Sequence, residues 1–240
     1  MLELSDPTLT ILLGTTATVA VVHTLLGIDH SLPFIVLGRA RQWTLRRTMA
    51  VTVGCGVGHV ASSVVIGAAG ALLGASLAPL EAFDATRGEL AAALLIGFGL
   101  SYATWSLWRL QRRATHSHLH AHADGTVHDH PHDHRAEHLH PHTDGAGRVT
   151  PWALFVIFLL GPCEPLIPLM VVPAMDQSWM ALGAVVAIFG TLTVVTMAAT
   201  VAFGHYGLRL VPAGRLLRFA DVGAGLVVAA SGTAVLVLGI

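Results

Sequence analysis

Lysine is missing from this chain, and charge of either sign is scarce. Asp, Glu, Lys and Arg make up only 11% of the 240 residues, against about 25% in an average soluble domain. So little charge cannot cover a soluble globule of this length. The apolar share, 54%, and a mean hydropathy of +0.69 point the same way. Cysteine is nearly absent too. Cys55 and Cys163 are too few for a disulfide framework, and both fall inside apolar runs. Aromatic residues are 6% and the net charge is −1. With no basic aromatic patch, a nucleic-acid partner is excluded.

What the chain does have is long apolar runs. Six are present, near Thr8–Gly38, Thr48–Ala78, Gly88–Trp108, Pro151–Met175, Trp179–Phe203 and Leu217–Ile240. About 20 residues cross the hydrocarbon as a straight helix. The first two runs exceed that, so they are tilted, broken or extended into the interface. Asp6-Pro7 suits a helix start. Met1-Leu2-Glu3 lacks a basic stretch of the kind that opens a secretion signal, so the first run is kept as a span. The expected fold is all-α: a polytopic membrane protein of six transmembrane helices.

The thirteen basic residues are all arginine, and 12 lie in the first, third and fifth connections. Only Arg87 falls elsewhere, in the second. The positive-inside rule then puts both termini outside and the arginine-bearing loops in the cytoplasm, in the inner membrane of a cell. Residues 1–110 form a first three-helix repeat, 111–150 a cytoplasmic loop and 151–240 a second repeat. That loop holds 11 of the 15 histidines: His116, His118, His120, His122, His128, His130, His132, His134, His138, His140 and His142. Its composition implies flexibility and low-specificity binding of transition metals, with Asp124, Asp129, Asp133, Glu137 and Asp144 adding oxygen ligands.

The two halves resemble each other. Leu26-Gly27-Ile28-Asp29-His30-Ser31-Leu32 superposes on Leu160-Gly161-Pro162-Cys163-Glu164-Pro165-Leu166 with both Leu and the Gly matched at an offset of 134. Three spans per half is odd, so the halves enter the membrane in opposite senses. Transporters are often built as such inverted repeats, with sites where Gly and Pro interrupt matching helices.

Few ionisable residues lie inside the runs: His23, Asp29, His30, His59 and Glu164, with His205 and Asp221 nearer the ends. Each charged group at the bilayer centre costs about 2.5–3.5 kcal/mol on insertion scales. They need a shared partner, cavity or ion. Counted inward from the arginine-bearing boundaries, His30, His59 and Glu164 lie ~12, ~17 and ~20 Å deep in a ~30 Å core. Imidazole suits nickel, cobalt, copper and zinc, and carboxylate adds charge neutralisation. His23, Asp29, His30 and His59 form the candidate coordination set, with Glu164 and Cys163 opposite, at a helix broken by Pro162, Pro165, Pro168 and Pro173. Cys55, within Gly54-Cys55-Gly56-Val57-Gly58, reads as close helix packing, as do the glycines of Gly67–Ala71 and Gly97–Gly99. Trp105, Trp108, Trp152 and Trp179 suit interfacial anchors.

These residues resemble a known family. A first-span His followed by Asp-His (His23, Asp29-His30), a second-span Gly-His (Gly58-His59) and a His-rich loop between the halves are similar to the nickel/cobalt transporter and efflux permeases. More broadly, they resemble the sulfite-exporter-like and urease-accessory membrane proteins grouped with them. The permease motif has four residues between its first His and Asp-His; this chain has five, Thr24 to Ile28. The run Leu154–Leu169 also looks like the Pro-Cys segment of cytochrome c biogenesis-type thiol–disulfide reductases, although Asp29 stands where their second half-repeat Cys would be.

The resemblance implies a transporter rather than an enzyme. Its cargo would be Ni²⁺, Co²⁺ or another divalent transition metal, with no permanently bound cofactor. The expected partners are the bilayer, metal ions, and a second copy or a metallochaperone. Two alternatives are a thiol–disulfide electron carrier using Cys55 and Cys163, and an anion exporter, which the absence of Arg from the spans disfavours.

Overall fold

The first apolar run starts as expected and then breaks. In a computed structural model that describes residues 7–72, 77–112, 117–121, 127–131, 146–210 and 218–238, helix α1 spans Pro7–Leu26 with Pro7 at its first turn. A single 3₁₀ turn, Ile28–His30, follows, and α2 covers Leu32–Ala40 with Pro33 in its first turn. Pro33 lacks an amide hydrogen and disfavours helical geometry in the residue before it, so α1 cannot run through. Gly27 sits at the break because any side chain there would strike the His30 ring.

The second half contains a similar break. Helix α5 (Ala146–Leu160) ends at Gly161-Pro162-Cys163-Glu164-Pro165, and α6 (Leu166–Met175) resumes. The remaining helices are α3 (Leu45–Leu72), α4 (Leu77–Arg112), α7 (Trp179–Leu210) and α8 (Ala220–Leu238). Five helices, α1, α3, α4, α7 and α8, are long and apolar enough to cross a membrane, whereas α5 and α6 are shorter. Large apolar side chains face outward, Phe203 being 82% and Met180 72% exposed. That is a surface for lipid, not water.

Two expectations are corrected. The loop is not wholly irregular: Ser117–Ala121 (β1) and Val127–Pro131 (β2) pair antiparallel, setting His118 opposite His130 and His120 opposite His128. His116, His122, His132, His134, His138, His140 and His142 lie outside the described residues. Arg87 is not in a connection. It lies in the α4 span Ala78–Gln111, 7% exposed, beside Asp84 at 2%. An Arg three residues after an Asp on a helix reaches back to it, so the pair enters as a near-neutral unit.

The helices fill two apolar clusters. One gathers Phe34, Leu37, Cys55, Leu154, Phe158, Met197 and Val228, among others; the second gathers Ala20, Val60, Cys163, Leu166, Met170, Val185 and Phe189. Helices α4 and α8 touch along glycines. An added Cβ at Gly99 would lie 2.5 Å from the Ala229 nitrogen, and one at Gly225 2.7 Å from the Ala103 nitrogen. Gly97, in the same small-residue string, has nothing within 4 Å. Only one face of that string is a contact.

Candidate metal centre

The break at Gly27 brings together what an unbroken helix would also have aligned. His23, two turns before His30, meets it edge to face with ring centroids 4.8 Å apart. His59, from the middle of α3, approaches His30 at 5.1 Å. One ring nitrogen from each of the three lies within 4.8 Å of the others. His30 and His59 are buried at 3% and 4% exposure, and His23 is half-buried.

The second nitrogens settle which atoms are free to bind. Nδ1 of His30 is 3.1 Å from Asp29 Oδ1, and Nδ1 of His59 is 3.3 Å from the Phe158 carbonyl oxygen. Both acceptors fix a proton on Nδ1 and leave Nε2 as a lone-pair donor. This is the usual arrangement behind a metal-binding imidazole. Nε2 of His23, His30 and His59 are all buried, and none has a hydrogen-bond partner among the described residues. Orphaned buried polar atoms are costly and rare. Three in one place are a group that could hold a metal ion. In a tetrahedral site with bonds of ~2.0–2.1 Å, ligand nitrogens stand roughly 3.4 Å apart, so the rings would have to draw together to hold an ion.

A cavity of about 460 Å³ reaches this cluster, lined by His23, Asp29, His30 and His59 together with Glu89 of α4 and Glu164 of the second break. Among the described residues, three carboxylates and three imidazoles line it, and no arginine does. The walls come from the N-terminal half of α4 and the far end of α8, at Val235 and Leu236. The arginine-bearing ends lie the other way. There Arg41 donates to Thr150 Oγ1 at 3.3 Å and covers the Tyr102 ring at 5.1 Å, while the Tyr102 hydroxyl donates to Asp221 near the start of α8. Between that end and the cluster, Phe34 and Phe158 meet at 4.8 Å.

The expected site residues thus divide. His23, His30 and His59 form the centre, and Asp29 orients His30 from behind it. Glu164 faces the same cavity. Cys163 does not: it is fully buried in the second apolar cluster, its amide donating to Ser63 Oγ at 3.0 Å. Cys55 and Cys163 are both free and belong to different clusters. Glu89, Asp84, Arg87 and the Ser62-Ser63 pair were not singled out from sequence. The i, i+3 spacing of Asp84 and Arg87 was the available signal for two of them. Comparison with family models, with curated proteins and with solved structures gives no match.

Proposed function

We propose that this chain carries a divalent transition-metal cation, nickel or cobalt foremost, across a bacterial or archaeal cytoplasmic membrane through the His23–His30–His59 centre. The observation that carries the reading is the set of three buried, unpartnered Nε2 atoms, two of them oriented through Nδ1. Three protein nitrogens leave a coordination position for water or an incoming ligand, which suits an ion that must leave again. The carboxylate-lined cavity, with no arginine among the described residues that line it, favours a cation over an anion. Arg87, buried in the α4 span, is paired with Asp84, so it offers an anion little.

Six spans follow if each broken helix counts once. Helices α5 and α6, 15 and 10 residues long, together reach roughly 37 Å at 1.5 Å per residue, enough for the ~30 Å hydrocarbon. An inverted 3+3 repeat is supported by two details. First, the packing partners exchange: α1 lies on α7 as α5 lies on α3, and α2 on α7 as α6 on α3. Second, the turns after α2 and α6 have the same bonds. The amides of Arg41, Gln42 and Trp43 donate to the carbonyls of Leu37, Arg39 and Gly38; those of Asp176, Gln177 and Ser178 donate to Val172, Ala174 and Pro173. Gln42 and Gln177 both have φ of 52°. With the arginine-bearing ends cytoplasmic, both termini and the cavity face outward, and the His-rich loop lies inside as a low-specificity metal buffer.

The test is cell-associated nickel and cobalt, by elemental analysis, in cells expressing the intact chain or its His30→Ala and His59→Ala variants. The intact chain changes cell metal, the sign giving direction, and the variants match the empty control. An intact chain that alters no divalent metal overturns the proposal.

A further inference from the structure

Arg87 makes more bonds than pairing with Asp84 requires. Its Nη1 donates to Asp84 Oδ1, while Nη2 donates to Ser62 Oγ at 2.9 Å, to the Leu159 carbonyl at 3.1 Å and to the Gly161 carbonyl at 3.5 Å. The guanidinium therefore ties α4 to α3 and to the carbonyl end of α5. It is buried and does not line the cavity, so it touches no ion in transit.

Its ties to α3 and to α5 both lead to the surroundings of His59. Ser62 Oγ donates to the His59 carbonyl at 2.8 Å, which holds the backbone of that turn. Leu159 directly follows Phe158, whose carbonyl accepts from His59 Nδ1. With α5 broken at Gly161, the last carbonyls of that helix have no following turn to bond. Arg87 satisfies that of Leu159 and the Gly161 carbonyl just beyond the helix, and so holds the neighbouring Phe158 carbonyl where the imidazole needs it. The approach is close: a Cβ on the adjacent Gly88 would lie 3.1 Å from Pro162 Cγ.

We infer that Arg87 is a positioning residue for the metal centre, setting the direction of His59 Nε2 by clamping Ser62 and the end of α5. The inference rests on the metal-transport reading above. Lysine cannot replace this group, because the planar fork serves separate acceptors at fixed angles and an ammonium is a point charge.

The experiment is Co²⁺ titration of the full chain purified in detergent, read by visible absorption and by dissociation constant, with thermal unfolding alongside. Arg87→Lys and Ser62→Ala are compared with the unaltered chain and with His59→Ala. Arg87→Lys is expected to bind Co²⁺ about tenfold or more weakly, in the 10–100-fold range for loss of an outer partner, with an altered ligand-field spectrum. On the His59→Ala background the same change is expected to add nothing, because the route runs through His59. A purely structural Arg87 would lower both affinities alike. Ser62→Ala removes one arm and keeps the question answerable should Arg87→Lys fail to fold; it too is expected to weaken binding in the intact background only. Unchanged affinity and spectrum in both variants, or equal losses with and without His59, overturns the inference and leaves the metal centre standing. No Co²⁺ binding by the unaltered chain removes the centre itself, and the inference with it.

Discussion

The seam between α4 and α8 gives the sharpest test of the packing. Consider Gly99→Ala. The new Cβ would lie 2.5 Å from the Ala229 nitrogen, 2.6 Å from the Gly225 carbonyl oxygen and 2.9 Å from the Ala229 Cα, where ordinary contacts start at 3.4 Å. All three neighbours are backbone, so no side chain can rotate away. The helices must part by about 1 Å, and overpacking of this kind costs roughly 1–3 kcal/mol. Against it stands the gain of about 0.8–1 kcal/mol from replacing a helical Gly by Ala. We expect a net loss of about 1 kcal/mol, rising to about 2 at the upper end of the packing cost. Gly97→Ala, two residues earlier with nothing within 4 Å, receives only the gain and should stabilise. Gly225→Ala strikes the same seam, with its Cβ 2.7 Å from the Ala103 nitrogen and from the Gly99 carbonyl oxygen. Once one methyl has parted the helices the second costs little, so the double variant should lose clearly less than the sum. Reversible unfolding in detergent measures all four. If Gly99→Ala and Gly97→Ala shift stability with the same sign, the seam as described is wrong.

Three further outcomes are expected. Asp29→Asn keeps the shape but not the charge behind His30, and should weaken Co²⁺ binding ~10–100-fold with little change in unfolding; an unchanged dissociation constant would refute the orienting role. Cys163→Ala and Cys55→Ala together should leave metal binding within a few-fold of the intact chain and cost stability through lost packing, about 1–2 kcal/mol in all; loss of metal-dependent activity in cells with the centre still binding would revive a thiol mechanism. Gln177→Gly relieves a left-handed backbone conformation at a helix end, worth about 1–2 kcal/mol, less the extra freedom glycine has when unfolded; the midpoint of unfolding should rise slightly, and a fall would refute the strain.

The centre was legible because its residues are expensive where they stand. His23, His30 and His59 are isolated in apolar runs, and isolation in a run is visible without coordinates. The breaks at Gly27 and Gly161 were legible from proline and glycine. The part played by Asp29 was not, since sequence cannot say whether a carboxylate next to a histidine faces an ion or the histidine's other nitrogen. Cys163 shows the same limit: neighbouring positions on a broken helix point in different directions, so Glu164 reaches the cavity and Cys163 the core. Arg87 was misplaced for a different reason. Hydropathy counts Asp84 and Arg87 as two charges and ends the span at Gly88, whereas the bond between them lets the span continue.

Phe158 has two duties that cannot be separated. Its ring closes against Phe34 on the side toward the arginines, and its carbonyl steadies His59. Any shift of α5 that parts the two rings also withdraws the carbonyl, freeing the imidazole to turn. On the proposed transport reading, opening that side and loosening the grip on an ion would be one movement. If the chain carries an ion as proposed, release would then need no separate trigger, because the ring contact and the bond that holds His59 belong to the same residue.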